Sequence, residues 1–199
     1  MKIVLSTRNP SKAEQIKAVF EGSSISIITL DDVGIKGQGI EDGKTLQENS
    51  LKKAMFVHKQ KPNFWAMADD TGIFIDALDG RPGVHTADWP AWRDKNKEIT
   101  EITQWILEQI KDVKNRTATF KTVVAVVAPT GKEYFFEEKV CGNLLEIPRP
   151  ATQPNMPYAS IFMPDGTDKV WAEMTVQEEN KISHRGKAFR QARELLEKL

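Results

Sequence analysis

The 199-residue sequence has one cysteine, Cys141, and only three histidines, His58, His85 and His184. No intrachain disulfide can form, and a structural zinc site has too few nitrogen and sulfur ligands to draw on. The lone cysteine fits a reducing, cytoplasmic setting. Neither sign of charge is in excess, because Lys plus Arg and Asp plus Glu both total 28. That balance argues against a protein that lives on a nucleic-acid backbone, yet a few placed cations would still hold a small anion. Long apolar runs are missing too. Ile3-Val4-Leu5 is too short for a signal peptide, and no run approaches membrane-spanning length. At 22.5 kDa the expectation is one domain over 1–199, or one domain with two lobes sharing a sheet. A chain of this length buries about 70% of its unfolded surface and needs no staples.

What is present is a regular alternation of elements. Ile3-Val4-Leu5 reads as a strand, closed by Ser6 to Pro10, and the capping-box spacing of Ser11 and Glu14 opens a helix. Ile25 to Leu30 is strand-like, and Asp31 to Gly43 is a Gly-rich loop. Thr45 and Glu48 form a second capping box, whose helix runs to about Gln60 before Pro62. Phe64 to Ala68 reads as a short buried strand that ends in Asp69-Asp70 and turns at Asp70-Thr71-Gly72. Isoleucines 99, 102, 106 and 110 predict a helix within Asp94 to Val113. Thr117 to Ala128 is β-branched, and Pro129-Thr130-Gly131 turns it into a hairpin partner, Lys132 to Val140. Pro148 to Pro157 is a proline-rich loop, and Ser183 to Leu199 a closing helix. Hairpins mixed with longer crossovers predict an α/β fold with a mixed, twisted central sheet flanked by helices.

Four places hold residues suited to chemistry. Two acids at the end of a core strand need something positive, and since neighbouring side chains in a strand face opposite ways, one faces a site while the other braces the loop. The Thr7-Arg8-Asn9-Pro10-Ser11-Lys12 loop has the physics of a phosphate cradle: amides at a helix start, plus two cations. It lacks the glycines of a Walker loop. On the second helix Asn49 and Lys53 are four apart and share a face. Glu41 and Asp70 could hold a hard cation through oxygen while Lys53 meets a phosphate, a set that suits magnesium. Ser183-His184-Arg185-Gly186 puts donors at a helix mouth. Each of these alone also reads as an ordinary solvated or capping segment.

Taken together, Ser6 to Lys12, Glu41 to Asn49 with Lys53-Ala54, Ala68 to Gly72, Asp79 to Val84 and Ser183 to Gly186 resemble the inosine triphosphate pyrophosphatase family, in order and nearly end to end. The resemblance implies a two-lobed architecture with the active site in its cleft. It also implies magnesium-dependent hydrolysis of non-standard purine nucleoside triphosphates such as ITP, dITP and XTP, and a homodimer. Carried over residue by residue, Thr7, Arg8, Asn9 and Lys12 would hold the triphosphate. Glu41 and Asp70 would organise magnesium, Asp70 would also accept the proton of the attacking water, and Lys53 would neutralise phosphate charge. Thr71 would touch substrate, His184 and Arg185 would read the purine O6 edge, and Asp69 would support them. A nucleoside triphosphate is then the partner, with no nucleic acid polymer and no membrane.

The departures from the family cluster on the base side. A Gly-Phe-Gly-Tyr/Trp-Asp-Pro run is usual where this chain has Asn155-Met156-Pro157-Tyr158-Ala159-Ser160. Met156 then stands for the stacking aromatic, Tyr158 keeps its aromatic, and Ala159 cannot replace the lost acceptor. Glu179 stands where a lysine is expected, and Asp88 where an arginine often follows. The metal and triphosphate half is retained and the base half rewritten. Silent drift, a different base, and a protein that binds or senses a nucleotide without hydrolysing it remain open, as does release of orthophosphate in place of pyrophosphate. Trp89, Trp92 and Trp105 are either an apolar interface or ordinary core.

Overall fold

A computed structural model describes residues 1–89, 98–150 and 157–199. The strands are β1 (Lys2–Leu5), β2 (Ser26–Thr29), β3 (Trp65–Ile75), β4 (Pro82–Gly83), β5 (Thr117–Val127), β6 (Glu133–Leu144) and β7 (Phe162–Pro164). The helices are α1 (Pro10–Val19), α2 (Leu46–Gln60), α3 (Ile99–Gln109), α4 (Val176–Ile182) and α5 (His184–Leu196). The sheet order is β2-β1-β3-β5-β6-β7, with β4 on β3. β1 runs parallel to β2 and β3, whereas β3–β4 and β6–β7 are antiparallel, so the sheet is mixed and helices flank it. The Trp92 and Met156 expectations fall outside the described residues. Among the described residues no helix is long and apolar enough to cross a membrane.

The chain divides into two compact units. One comprises Met1–Thr71, Thr122–Glu138 and Asn180–Leu199; the other comprises Gly72–Lys121 and Lys139–Glu179. In the first unit the strands alternate their side chains between two cores. Ile3, Leu5 and Met67 pack with Ile16 of α1 and Phe189 and Ala192 of α5. Val4, Ala66 and Ala68 pack with Ala54 and Val57 of α2. In the second unit Phe162 stacks on Trp171 and meets Phe120 edge-on, and Trp89 packs edge-on against Trp105 at 5.2 Å. At least these two tryptophans have each other as partners.

Two local expectations are corrected. Helix α1 is capped by Asn9, not Ser11: the Asn9 side chain accepts from the Lys12 amide, and Pro10 occupies the first turn. Proline at that position has no N–H to satisfy and a φ already fit for helix, so the start moves back to it. Nor does the chain turn at Asp70-Thr71-Gly72, since β3 runs through all three to Ile75. Gly72 explains the continuity. A Cβ there would lie 2.4 Å from the Gly83 carbonyl oxygen, so only glycine lets β4 approach closely enough to pair.

Candidate active site

The site is built on the end of β3, where Asp69 and Asp70 face opposite sides of the sheet by simple alternation. Asp69 follows Met67 onto the α1 and α5 side. Its Oδ2 accepts from Lys12 Nζ at 3.2 Å, from the Thr71 hydroxyl at 3.1 Å and, at the longer reach of 3.4 Å, from Arg185 Nε. Burial pushes the Asp69 carboxyl up, but Lys12, Arg185 and Lys53 together outweigh it and hold it well below the usual range. Burial lowers the Lys12 ammonium, Asp69 opposing and Arg185 adding to the fall. This face therefore carries two cations, Lys12 and Arg185, on one shared carboxylate.

Asp70 follows Ala66 and Ala68 onto the α2 side. Lys53 Nζ donates to its Oδ1 at 2.8 Å, and Asn49 Nδ2 donates to its Oδ2 at 3.2 Å. Glu41, exposed on the loop before α2, lies 3.5 Å from the same Lys53 nitrogen. Burial raises the Asp70 carboxyl against the pull of Lys53; the Lys53 ammonium is itself held above its ordinary value because Asp70, Asp69 and Glu41 outweigh its burial. Two donors within hydrogen-bond reach of one carboxyl group suit an anion, so the Lys53–Asp70 pair is ionised. This face carries two carboxylates on one cation, the reverse of its neighbour.

Helix geometry explains the α2 side. Thr45 caps α2 by accepting from the Glu48 amide, which fixes the rotation that turns Asn49 and Lys53 inward together. Asn49 then serves two partners, because its Oδ1 accepts from the Gly43 amide at 2.7 Å. It thus ties the loop carrying Glu41 to Asp70. Replacing Asn49 with Ala strands the buried Gly43 N–H and frees one Asp70 oxygen. We expect a loss of about 2 kcal/mol in urea unfolding and a fall of roughly tenfold in turnover. Unchanged turnover would mean that Asp70 needs no such brace.

The other sequence candidates are distributed unevenly. Arg8 does not join the cluster: its guanidinium pairs with Asp31 and donates to the carbonyls of Ile35 and Gly37. Thr7 accepts from the Asn9 amide, and Asn9 serves as the cap of α1. Thr71 bonds Asp69 and the Thr122 hydroxyl. His184 opens α5 beside Arg185 and is buried, which drives its imidazole well below the ordinary value and leaves it neutral at pH 7, with Arg185 pushing the same way. Ser183 caps that helix by accepting from the Gly186 amide. Tyr158 belongs to the second unit, buried with its ring edge-on to Phe120, and burial raises its phenol. Ala159 and Glu179 are buried as well, each 2% exposed. A groove of about 440 Å³ beside the first loop is lined by Thr7, Arg8, Asn9 and Lys17, among others, but by neither Asp70 nor Lys53. It is therefore separate from the carboxylate site.

Two buried side chains join the site beyond the candidates that sequence singles out. Asn49 shares a face with Lys53 and also reaches Asp70. Gln15 has an Oε1 that accepts from Arg185 Nη1 at 2.8 Å. Its spacing of three from Lys12 on α1 was the available signal.

Among the described residues no group of three or more His, Cys, Asp and Glu stands ready for a metal. Glu41 and Asp70 nevertheless fit magnesium, which takes one or two carboxylates and completes its shell with water and substrate phosphates. The excess carboxylate on that face has the right sign for a cation.

Known proteins place these features in context. The Ham1 family model matches residues 3–195. The dITP/XTP pyrophosphatase of Thermoanaerobacter pseudethanolicus is 39% identical over 193 residues, covering 95% of this chain and 93% of that protein. Among solved structures, a HAM1 protein from Coxiella burnetii is 29% identical with a TM-score of 0.85, covering 100% of both chains. The Staphylococcus aureus Ham1 protein is 25% identical with a TM-score of 0.83, covering 100% of this chain and 99% of the other.

Proposed function

The chain belongs to the Ham1 family, and we propose that it hydrolyses a nucleoside triphosphate to the monophosphate and pyrophosphate, with residues 1–199 acting as one pyrophosphatase domain. The observation that carries this reading is the opposed charge of the two faces of β3. One face has two cations on Asp69, Lys12 to meet phosphate and Arg185 to meet the base; the other has two carboxylates on Lys53 and suits a metal. The name of the Thermoanaerobacter relative, dITP/XTP pyrophosphatase, supports the reaction class.

Asp70 accepts or orients the proton of a water whose oxygen attacks the α-phosphorus. The new P–O bond forms as the bond to the bridging oxygen breaks, and pyrophosphate leaves with the bonding electrons. Lys53 offsets charge that builds on the phosphate oxygens, and Lys12 holds the chain of phosphates from the opposite face. Magnesium on Glu41 and Asp70 would neutralise phosphate charge when bound. Neutral His184 presents a hydrogen-bond donor or acceptor without a charge, and beside it Arg185 presents a donor to the base. With Ala159 and Glu179 in place of the family's usual residues, base selectivity is altered or relaxed. The protein is further proposed to work as a cytoplasmic homodimer.

The test is magnesium-dependent pyrophosphate release across standard, deaminated and modified purine and pyrimidine triphosphates. Release from ITP, dITP or XTP is expected, with activity spreading beyond them. Nucleotide binding without release from any substrate would replace this reading with a sensing protein, and orthophosphate as the product would replace it with a phosphatase.

A further inference from the structure

Arg8 stands in the first loop between Thr7 and Asn9, yet its guanidinium reaches across to the Gly-rich segment before α2. Nε and Nη2 donate to the Gly37 carbonyl at 3.3 and 3.2 Å, Nη2 also donates to the Ile35 carbonyl, and Nη1 pairs with Asp31. Those two carbonyls mark where the segment leaves the core. Ile35 is 2% exposed and packs with Val4 and Ala66, whereas Gly37 turns the chain with a φ of 81°. Farther along, Gly39 lies against α2, where a Cβ would come within 2.8 Å of Lys53 Cα, and the Gly43 amide is held by Asn49. Glu41 sits between these holds, with its carboxylate on the same Lys53 nitrogen as Asp70. Asp42 adds a surface pair with Lys52, a kind of contact worth little.

We propose that Arg8 is a positioning residue for the metal: it clasps the segment at Ile35 and Gly37, so that Glu41 is held beside Asp70 before a cation arrives. The identity of the cation rests on the pyrophosphatase reading. Glycines at 34, 37, 39 and 43 give this segment more conformations to lose than most loops have. A ligand carried on it would bind weakly unless something restricted the backbone, and a planar guanidinium spanning two carbonyls and a carboxylate does so. A lysine ammonium would keep the charge but has no fork with which to bridge the same three acceptors. A phosphate ligand at position 8 would behave in the opposite way, since charge alone would serve it.

The proposal is tested with Arg8→Met and Arg8→Lys. Each is read by the Mn²⁺ affinity of the nucleotide-free protein in electron paramagnetic resonance, by trypsin cleavage after Lys36 and Lys44, and by calorimetric dITP affinity in the absence of metal. Both variants are expected to bind Mn²⁺ roughly tenfold more weakly. Both should also be cut several times faster, because cleavage follows local opening of the segment. Their metal-free affinity for dITP should stay at the wild-type value. If Arg8 instead met phosphate, Arg8→Met would lose dITP affinity and Arg8→Lys would keep it, with Mn²⁺ binding and cleavage unchanged in both; that result overturns the proposal. Unchanged Mn²⁺ affinity overturns it even where cleavage quickens, because the clasp would then hold the segment without placing Glu41. Should Arg8→Met fail to fold, Arg8→Lys decides by the same readings. A wild type that binds Mn²⁺ but releases no pyrophosphate from dITP removes the enzymatic reading alone, since Mn²⁺ binding and cleavage still decide the role of Arg8.

Discussion

Replacing Asp70 with Asn is expected to lower kcat for pyrophosphate release by roughly a thousandfold, the scale of a lost general base. The change is isosteric, but it cannot be neutral for the site. Lys53 and Asn49 both donate to the carboxylate, and an amide offers only one acceptor where two are in use. Asn49 cannot turn over to help, because its own Oδ1 is taken by the Gly43 amide. One donor is left facing another, and Lys53 keeps only Glu41, 3.5 Å away, as a counter-ion. Leaving a buried cation short of its partner costs stability, about 3 kcal/mol for a pair of this kind. The double variant Asp70→Asn with Lys53→Met removes the stranded charge. It is expected to regain most of the stability while staying as inactive as Asp70→Asn. Steady-state kinetics and urea unfolding of both variants separate chemistry from folding. Activity within tenfold of wild type in Asp70→Asn would remove this residue from the mechanism.

The parts of the fold that depend on neighbours in sequence were legible from sequence. The Thr45 cap, the end of α2 at Gln60, the β5–β6 hairpin and the Ser183 cap follow from local hydrogen bonding and from proline and glycine positions. The separation of Asp69 from Asp70 was legible for the same reason, since alternation is a property of any strand. Sequence is a poorer guide where two local signals compete, as at Ser11, where Asn9 with Pro10 offers the better cap. The same holds where the deciding contact comes from far along the chain. β3 continues past the acids because β4 closes on Gly72, which the Asp-Thr-Gly triplet alone does not disclose. Arg8 has the sequence context of a phosphate ligand, yet a carboxylate and two carbonyls 23 to 29 residues away hold it. Asn49 and Gln15 meet Asp70 and Arg185 across 21 and 170 positions, distances at which no helical or strand period operates.

Gly186→Ala tests how closely Arg185 depends on the junction between α4 and α5. In most exposed helical positions this exchange would stabilise, by about 1 kcal/mol of helix propensity. Here the added methyl carbon would lie 2.0 Å from the Asn180 carbonyl oxygen and 2.7 Å from its Cα and carbonyl carbon. The obstacle is backbone, not the end of a flexible side chain, so relief requires α4 and α5 to part. Asn180 resists that movement, because its side chain is bonded to Gln15 and its carbonyl receives Arg190. The packing cost therefore exceeds the propensity gain, for a net loss of about 3 kcal/mol or more. In a protein of this size that is a fall of roughly 6 to 12 °C in Tm. Parting the helices also moves Ser183 from the Gly186 amide and shifts Arg185 away from Gln15. KM for the nucleotide should therefore rise even well below the melting transition. Thermal unfolding with kinetics at low temperature reads both effects. A Tm at or above wild type would show that α4 gives way freely, and the Gln15–Asn180 clamp would then lose its claim to hold Arg185 in place.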